Sequence, residues 1–442
     1  MRARLLSTSA IKLLKAPKLD VKNITSQLPS YLQSIKSRGL VAAQELIDQL
    51  QALPEHQTHL RAIDGQISKI QTRRNAIERE IKLDKSRMPA LRDELVDLKS
   101  QFQSASQDHK KIQQQVQDTC LSLPNLIHAS VPATEPEIVE WIHPRETYVA
   151  ESKRDHHTIM VRKKMVDFQS ASTVTGNSWY YLINEGAELE LALVSYATNK
   201  AKEHGFLLCI PPSIAKNEII DACGFRPRDM NNEQQIYHLQ DTDLGLTATA
   251  EISLAGLGIQ KELDLSKGPK KMCGISRSYR AEAGARGKDT RGLYRVHEFT
   301  KVELFCWSVP EESDRILEEL RGLQVEIINE LGLSAKVLNM PANDLGAPAY
   351  KKYDIEAWMP GRGSFGEVTS SSNCTDYQSR RMNTKFKNIS TGKSEYVHTL
   401  NGTAMAIPRI ILALVENFHD ANTDQIAIPK ALQPYMGGRK FI

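Results

Sequence analysis

Between residues 278 and 303, two runs rich in β-forming residues flank a loop that holds Gly284, Gly287 and Gly292 together with Arg286, Lys288 and Arg291. Glycines let such a loop turn tightly, and its cationic side chains match the oxygens of a polyphosphate over which it could close. Arg280 and Glu282 lie where the chain enters this loop, and Val296, Phe299 and Glu303 where it leaves. Three further segments concentrate charged and hydroxyl side chains: 246–251, with Thr249, Ala250 and Glu251; 365–370, strand-like, with Glu367, Val368, Thr369 and Ser370; and 401–409, running into a helix, with Thr403 and Arg409. Neither a G-x-x-x-x-G-K-[ST] loop nor a strand, G-x-G-x-x-G, helix unit occurs, so a nucleotide here requires a different fold.

These segments belong to a body, beyond Pro124, whose pattern mixes strands and helices. Residues 186–204 read as an amphipathic helix through Leu189, Leu193, Val194 and Ala197, closed by Gly205, with a short apolar run leading into Pro211 and Pro212. Before Pro124 the pattern is different. Leu60, Ile63, Ile67, Ile70, Ile77 and Ile81 follow heptad spacing with Arg74 in the skipped position, and Leu91, Leu95, Leu98, Phe102, Ala105, Ile112 and Val116 repeat it with His109 in the gap. Residues 86–89, ending in proline, separate the two series, which predicts an antiparallel hairpin with arms of 25 to 30 residues projecting about 40 Å. Residues 40–120 carry equal numbers of acids and bases, whereas 72–92 hold seven bases against three acids. A basic tip on a balanced arm suits a phosphate backbone or, failing that, is a solvated face.

Residues 1–19 contain Arg2, Arg4, Lys12, Lys15 and Lys18 and no acid, so of the formal net charge of +4 the rest of the chain carries −1. With Ser7, Thr8, Ser9 and interleaved leucines, residues 1–18 have the make-up of a mitochondrial transit peptide. The length of 442 residues allows a large core, no apolar run approaches the roughly 20 residues of a bilayer span, and six scattered cysteines without C-x-x-C speak for a reducing compartment.

Tyr279-Arg-Ala-Glu-Ala-Gly284 and Arg295-Val-His-Glu-Phe-Thr-Lys-Val-Glu303 resemble motif 2 of the class II aminoacyl-tRNA synthetases, and the chain resembles, within that class, the seryl-tRNA synthetases of mitochondrial type. Thr249-Ala-Glu251 is similar to that family's serine-binding TAE, residues 401–409 to its motif 3, the helix into Pro211 and Pro212 to its subunit-pairing motif 1, residues 19–22 to the start of its mature chain, and the hairpin to its tRNA-binding arm. The resemblance implies an α+β fold: a class II antiparallel sheet flanked by helices over 126–442, an N-terminal coiled-coil hairpin over 19–125, and a leader over 1–18. It implies a homodimer, with no membrane association, that activates L-serine with ATP and transfers it to tRNA(Ser) in the mitochondrial matrix. Arg280, Glu367 and Arg409 would be catalytic, with Arg280 on the α-phosphate and the substrate carboxylate and Arg409 at the γ-phosphate end. Glu282 would read the adenine amino group, Ala281 and Val296 supply backbone contact, Phe299 stack on the ring, and residues 367–370 complete the ATP site. Glu367 and Ser370 would hold Mg²⁺, in keeping with its preference for hard oxygen ligands. Thr249, Ala250, Glu251, Arg280, Glu303 and Thr403 would form the serine pocket, with Glu303 and Thr403 on the hydroxyl. Arg73, Arg74, Arg79, Lys82 and Arg87 would meet tRNA.

A pocket built to hydrogen-bond a hydroxyl can reject alanine by about 10⁴ to 10⁵ without an editing domain. Glu303 could instead pair with Lys301, an arrangement disfavoured on the ground that neighbours along a strand face opposite ways. The chain departs from the family where Ser371 replaces a cysteine, where Thr403 replaces a common serine, and at Ala404 and Pro408, which are often glycine. Two other functions remain open at this point: a catalytically inactive relative that binds RNA or a partner, and a class II enzyme for another amino acid.

Overall fold

The computed structural model describes Pro17 and residues 19–225, 235–282 and 292–442. The expected leader and most of the glycine-rich loop, including Gly284, Arg286, Gly287, Lys288 and Arg291, lie outside these residues. The chain divides into two compact units, one ending at Leu126 and the other spanning Ile127–Ile442.

In the first unit, helix α1 (Ala43–Leu83) and helix α2 (Met88–Ser122) pack against each other as an antiparallel pair. The heptad residues Ile63, Ile70, Ile77, Ala105, Ile112 and Val116 are buried along the seam. At 41 residues, α1 is longer than the heptad pattern indicates, about 60 Å at 1.5 Å per residue. The extra turns are amphipathic: Ile47, Leu50 and Leu53 join Tyr31 and Ile35 of the preceding helix, Leu28–Ser37, in one cluster. The turn also falls earlier than the proline suggests. Asp84 accepts a bond from the Ser86 amide at 3.0 Å and breaks the helix, whereas Pro89 sits in the first turn of α2, where its missing N–H has no partner to lose.

The second unit is built on eight strands: β1 (Glu137–Ile142), β2 (Leu207–Cys209), β3 (Lys270–Tyr279), β4 (Glu298–Ser308), β5 (Ala335–Asn339), β6 (Lys351–Met359), β7 (Ser364–Asn373) and β8 (His398–Ala406). They form one sheet in the order β1-β5-β6-β7-β8-β4-β3-β2, antiparallel except for the parallel edge pair β2 and β3. Five helices matter to the site: α3 (His156–Arg162), α4 (Glu185–Glu203), α5 (Ala250–Gly256), α6 (Ser313–Glu330) and α7 (Ile407–Phe418).

Strand β4 is buried on both faces and its alternation divides the core. Val302, Leu304 and Cys306 join the large cluster under α4, α6 and α7, while Phe305 and Trp307 join a second cluster with Ile252, Leu254 and Ala255 of α5. Lys301 and Glu303 share the parity of Phe305, so both face the α5 side. Helix α4 ends in a Schellman turn, with Gly205 at φ +80° and the Phe206 amide bonded to Ala201 O at 3.0 Å.

Candidate active site

An open cleft lies over the middle of the sheet, lined by Arg280, Glu282, Leu293, Tyr294, Val296, Phe299, Lys301, Glu367, Val368, Thr369, Ser370, Thr403, Ala406, Pro408 and Arg409. Residues from three separate segments of the sequence meet here because β3, β4, β8 and β7 are neighbours in the sheet and α7 begins where β8 ends. Pro408 sits in the first turn of α7, where its fixed φ favours helix initiation.

Arg280 follows β3, and its amide is bonded to His297 O at 2.9 Å, pinning the strand pair. Its guanidinium lies 5.4 Å over the Phe299 ring and forms no salt bridge with a carboxylate among the described residues. Burial, followed by the like charge of Arg409, disfavours its cationic form. A cation held in a cleft against its own electrostatics is a receptor for an anion.

Glu367 and Ser370 are three residues apart, a spacing that puts two side chains on opposite faces of a regular strand. The pairing of β7 with β6 shifts at this point: Thr369 is opposite Ile355 but Glu367 is opposite Glu356, leaving Val368 as the extra residue of a bulge. The bulge resets the alternation, so Val368 and Thr369 are both buried while Glu367 and Ser370 both look into the cleft. Burial pushes the Glu367 carboxyl up, but Arg409, Lys352 and Arg280 outweigh it and hold it at about 2. Arg409 Nη1 reaches Glu367 Oε2 at 3.1 Å. Glu367 Oε1 has no partner among the described residues. An ionised carboxylate and a hydroxyl on one wall are a donor set that fits Mg²⁺, which takes few protein ligands and keeps waters and phosphate oxygens. Beside this wall Lys352 Nζ and Asp354 Oδ2 pair at 2.8 Å, with Asp354 opposite Ser370 in the register and so on the same face of the sheet. Burial drives the Asp354 carboxyl up to about 7 despite Lys352.

The remaining predicted pocket residues lie deeper. Thr249 caps α5, its Oγ1 accepting the Glu251 amide at 3.3 Å, and Thr249, Ala250 and Glu251 are all buried. Glu251 accepts a bond from Gln378 Nε2 at 2.6 Å and another from Asn401 Nδ2. Its carboxyl is raised to about 7, first by burial and next by Glu303, with Lys301 opposing. Thr403 is directly across from Glu303 in the β8 and β4 pairing, and its Oγ1 donates to Glu303 Oε2 at 3.4 Å.

The preference against a Lys301 and Glu303 pair is overturned. Their charged groups are 2.7 Å apart and both are buried, because residues two apart on a strand share a face. Lys301, which lines the cleft, is therefore part of the pocket wall, and the Lys-Val-Glu spacing was the signal for it. Glu282 has φ +46° and bonds Arg295 Nη1 at 3.1 Å. Ala281 is not among the lining residues, and its amide is bonded to Gln235 O. The hydroxyl of Ser371 is buried without a hydrogen-bond partner among the described residues. Ala404 is the extra residue of a second bulge, in β8.

At the hairpin tip, Arg73 makes a two-bond contact to Glu94 at 2.6 and 2.9 Å, Arg87 reaches Glu80 at 3.2 Å, and Arg74 lies 5.8 Å over the Phe102 ring. Arg79 and Lys82 are exposed and make no ion pair among the described residues.

Residues 19–127 match the family model described as the seryl-tRNA synthetase N-terminal domain, and residues 236–418 match the class II tRNA synthetase core domain of the glycine, histidine, proline, serine and threonine enzymes. The chain is 57% identical over 431 residues to the mitochondrial serine--tRNA ligase of Saccharomyces cerevisiae, covering 97% of each protein. Its fold is similar to the crystal structure of seryl-tRNA synthetase from Pyrococcus horikoshii complexed with ATP, at a TM-score of 0.84 and 32% identity over 96% of this chain and 99% of that one. It is also similar to the cytoplasmic serine-tRNA ligase of Naegleria fowleri in complex with AMP, at 0.81 and 27% over 96% and 98%.

Proposed function

The chain belongs to the class II seryl-tRNA synthetases, and on that premise we propose how its own residues divide the work of activating L-serine with ATP and passing it to tRNA. In the first step a serine carboxylate oxygen attacks the α-phosphorus of ATP, the bond to the bridging oxygen breaks, and diphosphate leaves with seryl-adenylate retained. In the second, a terminal ribose hydroxyl of the tRNA attacks the acyl carbon and AMP leaves. Both partners in the first step are anions, so positioned cations carry the catalysis.

Arg280 takes the α-phosphate and the serine carboxylate, and Arg409 the far end of the triphosphate. Phe299 offers a face to the adenine, Glu282 an acceptor to its amino group, and Val296 backbone contact, with residues 367–370 completing the ATP wall. Glu367 and Ser370 hold Mg²⁺, which when bound neutralises phosphate charge. Glu251 is the counter-charge for the serine ammonium, beside Thr249 and Ala250, and Thr403 with Glu303 takes the hydroxyl. The observation that carries this reading is the bulge at Val368, which sets a carboxylate and a hydroxyl on the same wall as two arginines.

Residues 1–18 are the leader for the mitochondrial matrix, 19–125 bind tRNA(Ser), and 126–442 are catalytic. Two such chains pair through α4 and the edge strand β2, where Leu207, Leu208 and Ile210 are exposed. On the hairpin Arg79 and Lys82 are available to the RNA backbone, with Arg73, Arg74 and Arg87 beside them. No described helix is long and apolar enough to cross a membrane. An inactive relative is disfavoured because Arg280, Glu367, Ser370 and Arg409 all remain in one cleft. Amino-acid-dependent exchange of diphosphate into ATP tests the reading. Serine should support it while threonine, alanine and glycine do not, and Arg280→Ala should abolish it; undiminished exchange in that variant would refute the assignment.

A further inference from the structure

Tyr294 follows the glycine-rich loop and lines the cleft without an assigned role. Its ring has two guanidinium groups against it, Arg362 with Cζ 3.8 Å from the ring centroid and Arg409 with Cζ at 4.8 Å. Its hydroxyl accepts the Glu367 amide at 3.1 Å, next to the bulge, and its carbonyl accepts Arg409 Nε at 3.2 Å. Arg409 Nη1 in turn donates to the Glu367 carbonyl at 3.1 Å. Tyr294 therefore closes a ring around Arg409 and Glu367, its side chain through the hydroxyl and the aromatic face and its backbone through the carbonyl, and Arg409 Nη2 is left without a protein partner among the described residues.

Both sides of Tyr294 trace back to one buried carboxylate. Leu293, immediately before it, donates its amide to His156 Nε2 at 3.2 Å. That nitrogen must accept, so the ring proton is on Nδ1, which donates to Glu416 Oε1 at 2.8 Å. Glu416 Oε2 accepts the amide of Arg362, whose guanidinium lies against the Tyr294 ring, at 3.0 Å. Glu416 is fully buried and His156 nearly so. Asp155, His156 and Glu416 are close enough to be taken for a metal site, but both ring nitrogens of His156 are already engaged. Gly292 fits against this ring because a Cβ there would lie 2.2 Å from Nε2.

We infer that Tyr294, braced by the buried His156 and Glu416 pair, is a positioning residue that fixes Arg409 and the Glu367 segment for the triphosphate. The inference rests on the roles given above to Arg409 and Glu367. When phosphate oxygens draw Arg409 away from the Glu367 carboxylate, the side chain keeps its Nε bond and its aromatic face, and Nη2 stays aimed outward. Loss of the Tyr294 side chain leaves the Nε bond to the backbone carbonyl but removes the aromatic face beside the guanidinium and the hydroxyl that holds the Glu367 amide, so the penalty falls on ATP and not on serine.

The test compares Tyr294→Ala, Tyr294→Phe, Glu416→Gln and Arg409→Ala in the full-length enzyme. It measures the ATP dissociation constant by equilibrium dialysis, KM for ATP and for serine in diphosphate exchange, and thermal unfolding. Tyr294→Ala should raise both ATP constants at least tenfold with serine KM within twofold. Tyr294→Phe, which keeps the stacking, should recover at least half of that loss on a logarithmic scale, and Glu416→Gln should weaken ATP three- to tenfold. If Arg409→Ala weakens ATP tenfold or more while Tyr294→Ala stays within twofold, the inference fails and the site reading stands. Equal losses for serine and ATP in Tyr294→Ala would mean a merely structural role and also overturn it. An Arg409→Ala enzyme with unchanged ATP constants would instead overturn the site reading itself.

Discussion

Replacing Glu251 by glutamine should change the pH dependence of stability in a calculable way while weakening serine binding. The Glu251 carboxyl moves from an ordinary 4.5 to about 7 in the fold, chiefly through burial and then through Glu303. Below pH 4.5 it is protonated whether the chain is folded or not, and above about 7 it is ionised in both states, with the fold carrying the full penalty. Stability from this group is therefore lost as pH rises between those limits. At about 1.4 kcal/mol for each tenfold change in proton affinity, the penalty comes to about 3 kcal/mol. Glutamine cannot ionise, so the variant should gain up to about that much over the wild type between pH 5 and pH 8, with groups distant from Glu251 cancelling in the comparison and Glu303 and Lys301 responding to the lost charge. The new amide nitrogen can be accommodated, because Gln378 Oε1 and Asn401 Oδ1 are buried without partners and a flip of either amide would present an acceptor. Unfolding of both proteins at pH 5, 6, 7 and 8 measures the difference. Serine KM should rise roughly 10- to 100-fold on loss of a charged hydrogen bond, and wild-type kcat/KM for serine should climb with pH to a plateau above about 7. Parallel stability curves, or an unchanged serine KM, would refute the reasoning.

Thr403→Val should lower kcat/KM for serine by roughly 10- to 100-fold and narrow the preference over alanine, as the hydroxyl contact is lost, which exchange kinetics with both amino acids will show. Because Glu367 is held at about 2 by its cationic neighbours, its carboxylate stays ionised between pH 5 and 8, and Glu367→Ala should raise the half-saturating Mg²⁺ at least tenfold in a metal titration carried out at one pH. Reversing Arg79 and Lys82 to glutamate should weaken tRNA charging and flatten its salt dependence with serine activation intact. Reversing Arg73 should also destabilise the arm, since Arg73 is committed to Glu94, and unfolding of residues 19–126 followed by circular dichroism separates the two effects. Residues 1–25 fused to a reporter should direct it into mitochondria, read by fractionation.

Much of this site was readable because it is local. Arg280 and Glu282 follow directly on β3 and Phe299 lies near the start of the adjacent β4, and the heptads announce their own partners. What was not readable depends on register and on distant pairing. A strand with Glu367 and Ser370 three apart looks wrong for a shared metal until Val368 is seen to bulge. Lys301 was misjudged by a counting error in strand parity that the observed β4 alternation corrects. Tyr294, His156 and Glu416 give no linear signal, being brought together across 138 and 260 positions of chain. The helical arm was under-measured because heptad spacing gives way to ordinary helix packing below Leu60.

The two polar interruptions of the hairpin seam set its dimensions. Arg74 rests on Phe102 and His109 Nε2 lies 3.1 Å from Asp64 Oδ1, at different heights along the arm. Leucine and isoleucine alone would tolerate sliding by a whole heptad, but such a slip would bring Arg74 and His109 against aliphatic neighbours and leave their polar groups without these partners. The two helices are thereby keyed like a lock with two wards, and the arm behaves as a ruler of one length, giving whatever it grips at its end a fixed distance from its base.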